Sequence, residues 1–381
     1  MRIEAYARLS EFPAELAGAW NALLAPDHVT QGMDVTATFE WHAALMEAFV
    51  EEGAASVLVA YDPQGQVAGI LPLCRPGAGG ARGPRGRIAM LPELYGGRYG
   101  LLLRHRSGDV LRALLARANQ VCSGWTGLEV TLPDGNGELD FMAGAAPEHW
   151  LGIATRSIGR SPYIVLPDRF DDYLKTLKPN FRTEVRRGER RLSETGTLRR
   201  RLFRSPADVV PLWDAIGEIE RRSWKEAAGT SVTTHPEQER FYRSLLPRAA
   251  AAGQLFSTVL YVDERPIAHQ LCLCRDATAA ILKMSYVEDL KRHYPASVLL
   301  SGYIRDLIDS GFRYLDFMGE CEEFKMRWAH LTYGRTQCVF FRRSLGGRWA
   351  YWRRRAADTV NRVRSGSNPS ILRRLPSRSG P

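Results

Sequence analysis

Residues 257–274 read STVLYVDERPIAHQLCLC: an apolar run, a polar turn holding Asp263 and Pro266, and a second apolar run. That order predicts an antiparallel hairpin. Residues 56–74, SVLVAYDPQGQVAGILPLC, have the same layout, and VAGILPLC aligns with IAHQLCLC, both ending Leu-Cys. A helix-like segment and then a strand follow each hairpin. They are predicted at 109–120 and 125–132 after the first, and at 298–309 and 314–318 after the second. Strand pair, helix and strand, given twice, indicate a mixed α/β (α+β) fold in two similar domains. Chance likeness of two apolar hairpins is the competing account. The reading places one domain at 1–155, a second at 156–345, and a basic tail, helix then disordered, at 346–381. The first domain is longer through a Gly/Pro/Arg loop at 75–87.

Composition sets wide bounds. With 45% hydrophobic and 25% charged residues, the 381-residue chain matches soluble globular proteins. No stretch approaches the ~20 apolar residues of a membrane span. MRIEAYARLSEFPAELAG, at the start, has no apolar core segment, so no signal peptide is expected. The six cysteines form no CxxC pair and the eight histidines do not cluster. Neither zinc nor a disulfide framework is expected, and the expected compartment is the cytoplasm. Cys272 and Cys274 fall on one strand face as small core residues. Charge is segmental. Residues 342–381 hold eleven arginines and one acid, Asp358, which accounts for the whole net charge of +10. A second cluster at 182–204 holds nine arginines against three glutamates.

Several chemistries lose support at once. There is no P-loop, GxGxxG, HExxH or GxSxG. His269 shares a strand face with Ile267, Leu271 and Leu273, so it is either a satisfied core histidine or a pocket base. PNFRTEVRRGERRLSETG (179–196) reads as a helix capped by Asn180, with Phe181, Val185 and Leu192 inward. YPASVLLSGYIRDLIDSG (294–311) is a stronger helix, with Pro295 near its start and Gly311 at its end. The preceding KRHYPAS (291–297) makes that helix start a candidate anion site. YLDFMGECEEFKMRWAH (314–330) then sets Asp316 inside a strand and Lys325 between Phe324 and Trp328.

The order of these segments resembles the GNAT acyltransferase superfamily, and within it the twin-domain branch of Fem peptidyltransferases and CelD-like cellulose-biosynthesis acetyltransferases. IERRSWK (219–225), PIAHQLCL (266–273), IDSGFRYLDF (308–317) and EEFKMRW (322–328) carry the likeness in the second half. TFEWHAALMEAF (38–49), VAGILPL (67–73) and YGGRYGLLL (95–103) carry it in the first. The resemblance implies an N-acyltransferase that moves an acyl group, acetyl first of all, from acyl-CoA to an amine. The acceptor would be a small molecule, a sugar, or a glycan or lipid precursor of the cell envelope, held between the domains or along the second. No metal is implied. By the same likeness Lys325 is the cation beside the reacting carbonyl, where a fixed charge stabilises the oxyanion. Asp316 would orient it or an incoming amine, and His269 is the candidate base. Arg292, Tyr294, Ala296 and Ser297 occupy the phosphate turn, with Arg182, Arg186, Trp224, Tyr286, Glu320 and Trp328 as acceptor contacts.

One departure matters. The family's turn, Arg/Gln-x-x-Gly-x-Gly/Ala, meets Pro295 and Ser297 here, and proline removes a backbone donor. An aminoacyl-tRNA donor, as in the Fem proteins, is therefore the alternative, with the arginines of 182–204 on tRNA phosphates or another anionic acceptor. Solvated Glu–Arg pairs are the plain account of the same arginines. A third reading is a catalytically silent scaffold of polysaccharide or lipid assembly at the membrane edge. In the tail, Trp349, Trp352, Ala356, Val360 and Val363 (within 346–365) form a stripe among arginines. That composition fits an interfacial helix on an anionic membrane at its inner face, or a helix packed on the second domain.

Overall fold

The structure is a computed structural model and describes residues 1–24, 35–51, 53–75, 86–95, 101–135, 137–365 and 371–374. Its strands are β1 (Arg2–Tyr6), β2 (Ala55–Tyr61), β3 (Val67–Cys74), β4 (Arg87–Met90), β5 (Leu102–Leu103), β6 (Gly127–Pro133) and β7 (Trp150–Val165). They continue as β8 (Leu198–Phe203), β9 (Ser257–Val262), β10 (Arg265–Arg275), β11 (Thr278–Tyr286), β12 (Tyr314–Asp316), β13 (Leu331–Arg342) and β14 (Ile371–Arg374). The chain divides into two compact units. One takes the residues up to Gly159 and from Gly334 on, and the other takes Arg160–Tyr333.

Each unit repeats one plan. In the first, β1, β2, β3 and β4 are antiparallel neighbours in that order, and β4 pairs parallel with β6. In the second, β8, β9, β10 and β11 are antiparallel neighbours, and β11 pairs parallel with β12. A parallel pair needs a crossover, supplied by the helix Gly108–Val121 in the first unit and Pro295–Asp309 in the second. Both hairpins read from sequence are therefore present, as β2–β3 and β9–β10. The strand beside β6 is β13, and the strand beside β12 is the end of β7.

The core of the second unit follows from helical spacing. Leu300, Tyr303, Ile304, Leu307 and Ile308 of the crossover helix are buried against Cys272, Ala279, Ile281, Leu315 and Phe317. Phe181 and Val185 of the helix Pro179–Ser193 join the same cluster. That helix comes very close at Gly188, where a Cβ would lie 2.6 Å from the His293 carbonyl oxygen. Only glycine permits the approach.

Four expectations need correction. The helix at 179 starts with Pro179 at its first position after Lys178, not with Asn180 as cap, because proline's fixed φ already suits a helix start. The units divide at 159/160 and 333/334, not at 155/156 and 345/346, because residues 335–341 of β13 pair with β6. The tail helix, Leu345–Ser365, does not pack through its tryptophans. It seats on the first unit through Tyr351, buried with Leu151, Ala154, Val339 and Phe341, while Trp349 and Trp352 stay exposed. The expected disorder beyond it fails at β14, which pairs antiparallel with residues 152–155 of β7. Residues 366–370 and 375–381, and most of the 75–87 loop, lie outside the described residues.

Candidate active site

β11 and β12 stay together for three parallel pairs only, Thr278–Tyr314, Ala279–Leu315 and Ala280–Asp316. Beyond them β11 runs on to Tyr286 while the other chain turns off at Phe317, so the sheet opens into a cleft. A bulge deepens it. Leu271 pairs with Lys283 but Cys272 with Ile281, which leaves Leu282 unpaired. The opening is a cavity of ≈ 400 Å³, within the range of small-ligand sites. Ile281, Leu282, Met284, Tyr286, Phe317 and Phe324 wall it, Trp224 and Ala296 border it, and Lys225, Lys283 and Lys325 bring three cationic groups.

Lys325 lies on a single helical turn, Glu323–Met326, after two left-handed residues, Met318 (φ 51) and Gly319 (φ 59). Its ammonium donates to the carbonyls of Met318 at 3.1 Å and Glu320 at 3.4 Å, and the exposed Glu322 carboxylate is 3.5 Å away. The side chain is 13% exposed. Asp316 is fully buried and does not touch Lys325 directly. It accepts the Met318 N–H at 2.7 Å and the Tyr333 hydroxyl at 3.0 Å. Ser161 donates to the Gly319 carbonyl at 2.6 Å. A left-handed methionine is costly backbone, and Asp316 holds it where its carbonyl can grip Lys325. Asp316, read from sequence as orienting Lys325 or an incoming amine, thus meets Lys325 through Met318.

Behind the cavity is a buried charge cluster. Glu220, at the end of the helix Val209–Arg221, is fully buried. It lies 3.2 Å from His269 Nε2 and 3.4 Å from Lys225 Nζ, and accepts the Val232 N–H at 2.6 Å. Burial pushes its pKa up, but the hydrogen bond and charge of His269, the Lys225 cation and the Val232 amide hold it down to about 2. His269 is fully buried, and burial lowers its pKa against the pull of Glu220. With Glu220 ionised, Nε2 donates to it, and Nδ1 is left as the unprotonated atom with no hydrogen-bond partner. Ser285, directly opposite His269 on β11, borders the cavity and also leaves its hydroxyl without a partner. Burial lowers the pKa of Lys225 against the pull of Glu220 and Glu322, and burial together with the Lys225 cation lowers that of Lys283.

The other expected residues divide. Trp224, Tyr286 and Ala296 line the cavity. Ser297 is buried at the start of the crossover helix, and the exposed Arg292 and Tyr294 precede it. Pro295 has no N–H and the Ser297 and Val298 amides donate to the Tyr294 carbonyl, so Ala296 carries the one uncommitted amide of that first turn. Glu320 meets Lys325 through its carbonyl. Trp328 is a core residue, packed edge-on against Phe181 at 4.8 Å and wholly buried, and it is not among the lining residues of this cavity. Arg182 and Arg186 stand on the helix Pro179–Ser193 and are not among the cavity's lining residues. Among the described residues no group of three or more His, Cys, Asp and Glu could hold a metal ion.

Glu220, Lys225, Lys283 and Ser285 were not singled out from sequence, although two signals were available. Glu220 falls four residues after Ile216 on the buried stripe of its helix, and Lys283 interrupts an apolar strand.

Residues 179–326 match the family model described as an acetyltransferase (GNAT) domain. No curated protein matches the chain significantly. Among solved structures, the C-terminal domain of a protein named as a lysylphosphatidylglycerol synthetase from Agrobacterium fabrum is similar with TM-score 0.55 and 12% identity. That match covers 94% of this chain and 99% of that one. FemX gives TM-score 0.56 and 11% identity over 88% of this chain and 97% of its own. L-PGS from Bacillus licheniformis gives TM-score 0.51 and 14% identity over 87% and 93%. At such identities the likeness is one of fold.

Proposed function

From the premise that the chain carries a GNAT acetyltransferase domain and is an enzyme of the acyltransferase class, we propose that it transfers an acyl group from an acyl-CoA to an amine in the cleft between β11 and β12. The observation that carries this reading is the cavity itself, apolar-walled and cationic, with Lys325 anchored by two carbonyls at its edge. An ammonium has three N–H groups, and the third, now beside the exposed Glu322 carboxylate at 3.5 Å, is the one that would turn to a carbonyl oxygen. Phe317 and Phe324 keep the surroundings dry, where a fixed charge acts more strongly than in water. The amine attacks the thioester carbon, the C–N bond forms, and the C–S bond breaks as the oxyanion collapses. The nitrogen's proton passes through a water between the Ser285 hydroxyl and His269 Nδ1, neither of which has a partner of its own, to Nδ1, and the departing sulfur recovers a proton from there.

Glu220 orients His269 by taking Nε2–H, as a carboxylate does for any base that must present its other nitrogen. This role sets a pH signature. A base must be neutral to work, and burial holds the His269 pKa below its usual value against the attraction of Glu220, with Lys225 and Lys283 also opposing its charge. The acid limb of kcat/KM is therefore expected below the ordinary histidine range of about 6.5, with activity lost as pH falls through that limb. A limb above it, or one unchanged in a folded His269→Gln variant, would remove histidine from the mechanism.

The donor is tested by calorimetry with acetyl-CoA and longer acyl-CoAs. Binding with micromolar affinity is expected, weakened by Arg292→Gln if the basic turn receives the pyrophosphate. The second reading, an aminoacyl-tRNA donor, draws on the amide-poor helix start at Pro295 and on the exposed arginines of the helix Pro179–Ser193. It also draws on similar folds whose names denote lysyl transfer to phosphatidylglycerol. Retention of aminoacyl-tRNA on a filter, with no heat from any acyl-CoA, would select it. The acceptor is an amine of a small molecule, glycan precursor or lipid, in the cytoplasm.

A further inference from the structure

The helix Leu345–Ser365 keeps an apolar face that its own packing does not use. Leu345 is 86% exposed, Trp349 63% and Trp352 52%. Together with Ala356 they recur at spacings of three and four, so they share one stripe. Tyr351 and Asp358, both buried, mark the other side of the same helix. Arginines flank the exposed stripe. Arg353 lies over the Trp349 ring at 4.5 Å and Arg355 over the Trp352 ring at 5.0 Å, with Arg348 exposed one turn earlier. Asp358 is the one acid of residues 342–381, and it is paired with Arg354 at 3.2 Å. Every exposed charge on the described part of this helix is thus positive.

A second feature lies at the edge of the stripe. A cavity of ≈ 230 Å³ opens beside the helix within the first unit, lined among others by Arg87, Arg353, Arg354 and Trp349. Arg87 pairs with Glu129 and Arg354 with Asp358, whereas Arg353 meets no acid among the described residues. Three guanidinium groups and an indole around a space of that size suit a phosphate ester.

We propose that this face docks on an anionic lipid surface. Leu345, Trp349 and Trp352 enter the boundary between headgroups and acyl chains, the flanking arginines meet lipid phosphates, and one phosphate seats at Arg353. Tryptophan favours that boundary because its ring is apolar and its N–H stays wet. A nucleic acid would satisfy the arginines but would give Leu345 nothing to bury against, so the apolar centre of the stripe favours lipid. The proposal is independent of the acyl donor.

Co-sedimentation of the full chain with vesicles of phosphatidylcholine, with and without phosphatidylglycerol, tests it. Binding is expected only to the anionic vesicles, falling as salt is added. The W349A/W352A variant should bind at least about tenfold more weakly, and R348Q/R353Q about fivefold more weakly per arginine. All four side chains are exposed, so circular dichroism should be unchanged. Equal binding by parent and W349A/W352A, equal binding to vesicles lacking phosphatidylglycerol, or retention of tRNA while vesicles remain unbound would each overturn the proposal.

Discussion

Replacing Lys325 by Met lowers turnover about 10²–10³-fold, the usual cost of one well-placed oxyanion donor, and leaves the protein folded. Methionine keeps most of the stem's volume beside Phe324. What it removes is the ammonium that spans the Met318 and Glu320 carbonyls. Those carbonyls belong to an exposed turn, so water can replace the lost donor there. The loss should fall on kcat more than on KM, because the oxyanion exists only in the transition state. Arginine should not restore the rate, since its longer, planar fork puts the charge and its N–H groups in different places from a compact ammonium. Asp316→Asn gives a second reading of the same geometry. It keeps the acceptor for the Met318 N–H but loses the charge, so it should cost less than Lys325→Met and should also raise KM. Steady-state kinetics on the folded variants checks both. Turnover of Lys325→Met within a few-fold of the parent would make the lysine a staple of the 318–320 turn and nothing more.

The fold was legible because its signals are local. Each hairpin is announced by a polar turn between apolar runs, and each crossover helix by its own stripe, so two copies of one plan could be read from residues close in sequence. The site was half legible for the same reason. Lys325 and Asp316 lie nine residues apart and carry their oddity with them, a carboxylate in a strand and a cation among aromatics. Glu220, His269, Lys225 and Lys283 span more than sixty positions, and no local pattern says that a helix end and two strands will meet. Trp328 lies apart from that cavity. Its place beside Lys325 suggested a cavity wall, but the chain turns back after Met326 and drives the ring into the core against Phe181. The tail tryptophans had the right spacing for a buried stripe, and Tyr351, between them, took that role instead.

The largest stability effect is expected at Glu220. Truncation to Ala leaves the Lys225 ammonium, the His269 Nε2–H and the Val232 N–H facing a void where all three now meet one carboxylate. Breaking a buried pair by removing one partner typically costs about 3–5 kcal/mol, because the remaining charge stays buried and uncompensated. Lys225→Met removes the other partner and should cost less, since Glu220 keeps His269 and the Val232 amide. The two substitutions should not add. With Glu220 gone, Lys225→Met should recover part of the loss by deleting the stranded cation, so a double-mutant cycle in urea should return a coupling of at least about 1 kcal/mol. Acid gives an independent check with a fixed sign. Glu220 titrates at about 2 in the folded chain, below its ordinary 4.5. Its ionisation therefore stabilises the fold fully above 4.5, and that contribution fades as pH falls toward 2. The gap between parent and Glu220→Ala should accordingly hold or, through the linked titration of His269, widen from neutral pH down to about 4.5, and narrow below it. A gap already closing at pH 6, or a coupling near zero, would mean that Glu220 and Lys225 share no buried interaction, and the charge cluster behind the cavity would have to be redrawn.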